Sequence, residues 1–192
     1  MPLLLVLIVL WCLYLGMAYF VTMNFSFKNT IIAIQNITPA MVVGFSTMSS
    51  AAALPILTSG AIKNSQDKTL PQSVIPSVIN THMLGDALGI PPMALTLYVI
   101  EYNSIPHFSA YFKFAISYVL AKFSAAGIPG GTIIVMIPVL ESSLAFTPEM
   151  SGMILMIYIL FDCFCTSFNV LGNGLFSIVF EKTWKNFNRS VN

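Results

Sequence analysis

Long apolar runs, separated by short polar breaks, follow one another along almost the whole chain. The first run covers residues 1–24 and is long enough for a transmembrane helix, which needs about 20 apolar residues. A secretory signal peptide would start with basic residues, whereas this run starts with MPLLLVLIVL. We therefore interpret residues 1–24 as a spanning helix.

Two later apolar stretches are each interrupted midway by small or helix-breaking residues. In residues 29–66 the interruption is a serine-rich tip at 48–53, and in residues 110–145 it is the sequence GIPGG. Irregular backbone at membrane depth is tolerated only where protein or a water-filled cavity surrounds it. The pattern therefore predicts two re-entrant helical hairpins, an arrangement that marks the binding site of many secondary transporters.

The segment between these hairpins, residues 69–100, is apolar but carries polar residues at its centre. His82, Gly85 and Asp86 lie there, and a Pro-Pro pair follows them. The pattern indicates a discontinuous transmembrane helix that is broken near residues 81–86, and a kinked helix with Asp86 facing other helices is the alternative. Both interpretations bury an ionisable group in the membrane, which makes Asp86 a candidate functional residue.

The last apolar helix, residues 148–181, has polar residues along one face. Asp162, Thr166, Asn169 and Asn173 are separated by 4, 3 and 4 positions, so they share that face. Such a row commonly holds helices together, but a charge at the bilayer centre costs roughly 2.5–3.5 kcal/mol on insertion scales. We therefore expect Asp162 to belong to a functional site.

The composition also indicates a membrane protein. Hydrophobic residues make up 57% of the chain and charged residues only 8%, against about 25% charged residues in soluble domains. The expected fold class is an all-α, multi-pass membrane protein in the inner or plasma membrane. The net charge of +1 gives no indication of a nucleic-acid partner. Basic residues cluster in the loop 63–68 and in the tail 182–192, which predicts a cytoplasmic location for both.

Three motifs, in this order, resemble the dicarboxylate/amino acid:cation symporter family, the glutamate transporter homologues. FSTMSSAAALP at residues 45–55 resembles the serine-rich first hairpin tip, AAGIPGG at 125–131 the second tip, and DCFCTSFNVLGN at 162–173 the last helix. The resemblance is to the C-terminal half of the family and covers essentially the whole chain. It implies a transport domain that moves like an elevator against a trimeric scaffold, with the second hairpin as the gate. An N-terminal scaffold half from another chain is the partner expected on this basis.

The resemblance also implies a binding site for a small amino acid. Asp162 would hold the substrate ammonium group, while a carboxylate would meet Ser49, Ser50 and the N-terminus of a half-helix, whose dipole favours anions. The other implied substrate-binding residues are Asp86, Gly127, Pro129, Gly130, Cys165, Thr166 and Asn169. No cofactor is predicted.

The sequence departs from the family at charged positions. Cys165 stands where the family carries an arginine that pairs with an acidic substrate side chain. Leu84 and Asn173 stand in place of two sodium-binding aspartates, so only Asn169 and Asn173 remain as weak sodium candidates. A buried acidic side chain without a cation is costly, and a hard cation needs oxygen ligands. We therefore expect a neutral amino acid rather than a dicarboxylate as substrate, and weakened sodium coupling.

Lys122 falls where the family has a small residue beside a sodium site, and His82 lies in the broken helix. Snorkelling toward the membrane interface is the simple interpretation of such a lysine. We instead predict that Lys122 pairs with Asp86, directly or through one water, so that its ammonium group stands in for a sodium ion. His82 is expected to be a packed or hydrogen-bonded helix residue.

Two classes of function stay open at this point. The first is a secondary transporter subunit, and the second is a non-transporting relic or partner subunit of a split transporter gene. An enzyme is not expected. His82, Ser49 and Asp86 could be drawn as a catalytic triad, but no nucleophile elbow or oxyanion motif accompanies them.

Overall fold

The computed structural model describes residues 2–191, with side chains up to residue 188. The predictions that concern Met1, Asn192 and the side chain of Arg189 lie outside these described residues. Within the described range the chain forms eight helices and no strand. They are α1 Pro2–Thr22, α2 Phe27–Thr47, α3 Ser50–Asn64, α4 Leu70–Val78, α5 Leu84–Tyr102, α6 Phe108–Lys122, α7 Gly131–Leu144 and α8 Pro148–Val191.

Among the described residues, three helices are long and apolar enough to cross a membrane, namely α1, α2 and the part Pro148–Asn188 of α8. The helix α2 has 21 residues and therefore reaches about 31 Å, which exceeds the half-crossing expected of a re-entrant arm. The helix α7 is apolar but shorter. The predicted class, an all-α protein with several apolar helices, is confirmed.

The helices α2 and α3 pack against each other as the two arms of the first hairpin. The break between them is short, because Met48 takes a left-handed conformation and Ser49 caps α3 by accepting the Ala52 N–H at 3.2 Å. The sequence predicts a longer tip at 48–53, but α3 already begins at Ser50, since the alanines that follow are strong helix formers. The serine hydroxyls of the tip therefore lie at the start of a helix.

Between the two hairpins the chain forms α4 and α5, which are separated at residues 79–83. The sequence predicts the break slightly later, at residues 81–86. The observed position places Asp86 in the first turn of α5, where the helix dipole favours a carboxylate. The carboxylate therefore contributes to starting the helix that carries it.

The helices α6 and α7 pack together as the arms of the second hairpin, with residues 123–130 as its tip. Gly130 has a φ of 68°, in the left-handed region that glycine adopts without steric cost. Lys122 is the last residue of α6 and Thr132 is the second residue of α7. One polar side chain thus flanks the tip on each arm.

The long helix α8 lies at the centre and packs against α1, α2, α3, α4, α5 and α7. The sequence predicts a polar tail at 182–192, but the helix continues to Val191. This stretch contains neither glycine nor proline, and Lys185 pairs with Glu181 one turn earlier at 2.6 Å. The pair between Glu181 and Lys185 therefore supports the helical conformation of α8 beyond its apolar segment.

Two aromatic residues of α1 anchor that helix to the others. Trp11 Nε1 donates a hydrogen bond to the Gly85 carbonyl at 2.9 Å, and the Tyr19 hydroxyl donates to a backbone carbonyl of α8 at 2.9 Å. Gly85 lies so close to α8 that a Cβ there would stand 2.0 Å from the Cys165 carbonyl oxygen. This approach presses the first turn of α5, with Asp86, against α8.

Candidate functional site

Asp86 is buried, with only 1% of its surface exposed, and four side-chain donors surround its carboxylate. Lys122 Nζ lies 2.9 Å from Oδ2, while Thr132 Oγ1 and Asn169 Nδ2 lie 3.0 Å and 3.1 Å from the same oxygen. The Tyr158 hydroxyl donates to Oδ1 at 2.8 Å. The predicted pair between Lys122 and Asp86 is confirmed as a direct contact. One carboxylate therefore joins both arms of the second hairpin to α8.

The backbone of Asp86 is held as firmly as its side chain. Its N–H donates to Asn169 Oδ1 at 3.2 Å, and its carbonyl accepts the Tyr118 hydroxyl at 2.9 Å. Asn169 therefore uses both ends of its amide on one residue. Because a fully satisfied buried polar network is rigid, Asp86 is fixed in both position and orientation.

Asp162 is the second buried carboxylate of this region, and fewer donors reach it. Its Oδ2 accepts the Gly130 N–H at 2.8 Å, and its Oδ1 accepts the Thr166 hydroxyl at 3.1 Å. An ionised carboxylate offers about four acceptor positions, so Asp162 retains room for a further donor. With two carboxylates and one ammonium group, the cluster of Asp86, Asp162 and Lys122 carries an excess of negative charge.

The tips of the two hairpins contact each other directly. The Gly127 carbonyl accepts the Ser49 hydroxyl at 2.8 Å and the Ala51 N–H at 3.3 Å. The Gly127 N–H donates to Asn80 Oδ1 at 3.0 Å, which ties the second tip to the break between α4 and α5. These contacts hold the second hairpin closed over the buried carboxylates.

A cavity of about 10 Å³ remains between the hairpin tips and α8, which is roughly the space of one water molecule. Its lining residues are Met48, Ser50, Met83, Asp86, Ala126, Gly127, Ile128, Thr132, Tyr158, Asp162, Thr166 and Asn169. Six residues that the sequence predicts for substrate binding thus meet at one place, although they are distributed over three helices and one tip. Their role in binding stays a prediction.

The other residues selected for substrate binding lie outside the lining of this cavity. Ser49 and Gly130 are engaged in the tip contacts, and Pro129 is exposed on the second tip. Cys165 is fully buried, and its sulfur would stand 3.2 Å from a Cβ at Gly89. The Cys165 side chain therefore packs against α5.

His82 and Asn173 form a separate pair. His82 Nδ1 lies 3.2 Å from Asn173 Oδ1, and the imidazole ring packs on Phe176 with ring centroids 4.7 Å apart. His82 is packed and hydrogen-bonded as expected, but it lies in the break between α4 and α5 rather than in a helix. Among the described residues, Asn173 Nδ2 is buried without a hydrogen-bond partner.

Three hydroxyl groups contact Asp86 without being predicted from the sequence, those of Tyr118, Thr132 and Tyr158. Tyr158 lies four residues before Asp162, on the same face of α8, so the helical spacing was a usable signal. Tyr118 likewise lies four residues before Lys122. Aromatic residues are common in apolar helices, so their chemistry alone does not distinguish these two tyrosines.

The residues at Asp86 do not fit a sodium ion. A hard cation needs oxygen lone pairs, whereas four donors already surround this carboxylate and both amide atoms of Asn169 already bond to Asp86. The remaining candidate, Asn173, is paired with His82. In the part of the chain that the structure describes, no three His, Cys, Asp or Glu residues form a group that could hold a metal.

Two hairpins with touching tips, a broken helix and a polar last helix are the arrangement found in secondary transporters. The chain belongs to the sodium:dicarboxylate symporter family, whose pattern matches residues 1–183. This result confirms the family that the motifs predict. A multi-pass membrane protein follows from the family and the apolar helices.

Two relatives are similar to most of this chain over a part of their own length. Over 150 residues it is 31% identical to Excitatory amino acid transporter 5 from Homo sapiens and 30% identical to the protein of the same name from Mus musculus. Each match covers 77% of this chain but 26% of the relative. The chain therefore spans about a quarter of the length of these relatives.

Proposed function

We propose that this chain forms the substrate-binding part of a secondary carrier for a small neutral amino acid. The family supplies the class of activity, and the relatives are named as transporters of excitatory amino acids. The scaffold that the moving part would slide against, and its trimeric assembly, belong to the same proposal. A dicarboxylate is the alternative substrate, since the family takes its name from it.

The contacts of the second hairpin tip carry the proposal, because the tip presents the two groups that an amino acid would present. The Gly130 N–H donates a hydrogen bond to the Asp162 carboxylate, as a substrate ammonium group would. The Gly127 carbonyl accepts hydrogen bonds from the Ser49 hydroxyl and the Ala51 N–H at the start of α3, as a substrate carboxylate would. When the tip lifts, a cation acceptor and an anion donor set are therefore left free together.

Ser50 supports the same assignment of the carboxylate end. Ser50 is 2% exposed, it lines the cavity, and it is the first residue of α3. Anions are stabilised at helix N-termini, where backbone N–H groups point outward. A carboxylate seated beside Ser50 would combine these donors with the serine hydroxyl.

The preference for a neutral side chain follows from the charges around the cavity. An acidic substrate side chain would enter a region with two carboxylates, and the nearby Lys122 ammonium group is engaged with Asp86. No Lys, Arg or His of the described residues lines the cavity. A buried carboxylate without a partner costs several kcal/mol, so glutamate and aspartate are disfavoured.

Uptake into proteoliposomes tests the proposal, with the complete polypeptide or assembly that contains this chain. We expect saturable uptake of alanine or serine that exceeds uptake of glutamate. Asp162→Asn keeps an oxygen acceptor for the Gly130 N–H but removes the charge, and it should lower uptake at least about 30-fold. The matched control is Glu141→Gln, which removes an exposed carboxylate and should leave uptake unchanged.

Two results would overturn the proposal. Glutamate uptake above that of alanine and serine would show that the substrate is a dicarboxylate rather than a neutral amino acid. The absence of saturable amino-acid uptake from a folded assembly would instead favour the non-transporting partner or relic.

A further inference from the structure

Lys122 differs from the chain's other lysines in its surroundings. Only 7% of its surface is exposed, and its Nζ contacts Asp86 Oδ2 at 2.9 Å and Met83 Sδ at 3.3 Å. A lysine that snorkels would extend toward the interface and keep its charge in water. The buried ammonium group instead points into the protein, toward the start of α5.

The pair joins two parts that must separate when the second hairpin opens. Lys122 ends α6 and Thr132 lies in the first turn of α7, and both donate to the same oxygen of Asp86 on α5. One carboxylate thus holds each arm of the hairpin beside its tip. Opening the hairpin breaks a buried ion pair and a hydrogen bond together.

A paired cation offsets the cost of burying a carboxylate, and a mobile ion is one way to supply it. In this chain the cation is covalently attached. The donors of Thr132, Tyr158 and Asn169 complete the surroundings of Asp86, so a sodium ion would have to displace several of them. The second candidate position is occupied by the His82–Asn173 pair.

We propose that Lys122 is a tethered counter-ion that closes the second hairpin onto Asp86 in the absence of sodium. The closed state is then independent of the cation from which the family takes its name. The statement about closure stands without the proposed function. Its consequence for transport rests on that function: the carrier equilibrates or exchanges its amino acid and is not driven by a sodium gradient.

Hydrogen exchange at the second tip, residues 123–130, tests the closure. The protein is placed in lipid nanodiscs and compared in sodium chloride and choline chloride. We expect equal protection of the tip in both salts. Lys122→Met should speed exchange at least about tenfold, because a buried charge-assisted contact to the hairpin is lost.

Two further variants keep the test decisive. Lys113→Met removes an exposed lysine from the same helix, one that donates to the Ser142 carbonyl at 3.1 Å, and should leave exchange at the tip unchanged. Lys122→Met with Asp86→Asn removes both charges without leaving one unpaired, so it should fold even where the single variant does not. Its tip should still exchange faster than that of the unaltered chain.

Two outcomes of the exchange measurement would overturn the tethered counter-ion. The first is tip protection that rises at least about tenfold in sodium over choline, a change that corresponds to an ion-dependent closure. The second is tip exchange in the folded double variant equal to that of the unaltered chain.

Uptake separates this inference from the proposed function. In proteoliposomes we expect equal amino-acid uptake with and without a sodium gradient, and no accumulation above the external concentration. Uptake that requires sodium would refute the inference and leave the carrier function intact. Absent uptake in both salts, with unchanged tip protection, would refute the carrier function and leave the closure intact.

Discussion

Lys122 Nζ lies 2.9 Å from Asp86 Oδ2, although the two residues are 36 positions apart in the sequence. Both side chains are buried, and they belong to the second hairpin and to α5. A buried ion pair of this kind contributes little net stability, but removing one partner leaves an uncompensated charge. The pair therefore controls how the hairpin docks more than how stable the fold is.

The first prediction concerns the coupling of these two residues in stability. Lys122→Met and Asp86→Asn should each lower the free energy of unfolding, with Lys122→Met costing about 3–5 kcal/mol because it leaves a buried charge. The double variant should recover most of that loss, since no unpaired charge remains. Unfolding curves of the four proteins in one detergent give the coupling energy, and strictly additive effects would contradict the prediction.

The second prediction concerns Cys165, which the family resemblance places in the substrate site. Its sulfur is fully buried beside Gly89 and Trp11, so Cys165→Arg must force a long charged side chain between α5 and α8. We expect a loss of about 3 kcal/mol or more from overpacking and charge burial, without a gain of acidic substrate. Thermal unfolding and glutamate uptake measure the two effects.

Cys165→Ser is the control for this substitution. It keeps the shape of the side chain with a smaller terminal atom, and a serine hydroxyl within a helix can donate to the carbonyl four residues earlier. The variant should remain folded and keep its substrate preference. A folded Cys165→Arg protein with raised glutamate uptake would show that this side chain reaches the substrate.

The helices and their order are predictable from the sequence, because apolar runs and helix breakers are local signals. The exact ends of the helices depend on single contacts. Ser49 caps α3 and shortens the first tip, and Lys185 pairs with Glu181 and carries α8 past its apolar part. Neither contact changes the hydrophobic pattern, so the pattern alone places these ends wrongly.

The charged part of the site is predictable for a related reason. Asp86, Asp162 and Lys122 stand out because charges are rare in membrane segments. The direction of a side chain around its helix is harder to predict, since it depends on the space that a neighbour leaves. Gly89 leaves room for the Cys165 sulfur, while Tyr158 reaches Asp86 across the helix interface.

The third prediction concerns the loop between α3 and α4, which Glu181 holds to α8. Its carboxylate accepts the Ser65 hydroxyl at 2.6 Å and the N–H groups of Gln66 and Asp67 at 3.1 Å and 3.3 Å. Glu181→Gln replaces one acceptor oxygen by a donor and removes the charge. The amides of Gln66 and Asp67 should therefore exchange several-fold faster, because charge-assisted hydrogen bonds are about twice as strong as neutral ones.

Glu149→Gln is the matched control, since Glu149 is an exposed glutamate in the first turn of the same helix. Exchange of the loop should be unchanged in that variant. Equal loop protection in the Glu181→Gln protein and the unaltered chain would show that other contacts hold the loop.

The last prediction concerns Gly85, where α5 approaches α8 most closely. A Cβ at this position would stand 2.0 Å from the Cys165 carbonyl oxygen and 3.0 Å from the Asn169 backbone nitrogen, and neither backbone atom can move alone. Gly85→Ala should therefore cost about 3 kcal/mol or more, even though alanine favours helices over glycine by about 1 kcal/mol. The displaced α5 would also pull Asp86 away from Asn169, so the second tip should lose protection from exchange.

Gly16→Ala provides the control for helix propensity alone, because no atom lies within 4 Å of a Cβ built at that position in α1. It should leave stability unchanged or raise it by up to about 1 kcal/mol. The free energy of unfolding, measured in the same detergent, should thus fall for Gly85→Ala and stay equal or rise for Gly16→Ala, so that the two variants differ by several kcal/mol. If Gly85→Ala were as stable as Gly16→Ala, α5 and α8 would have to lie further apart, and the two hydrogen bonds between Asn169 and Asp86 would not form.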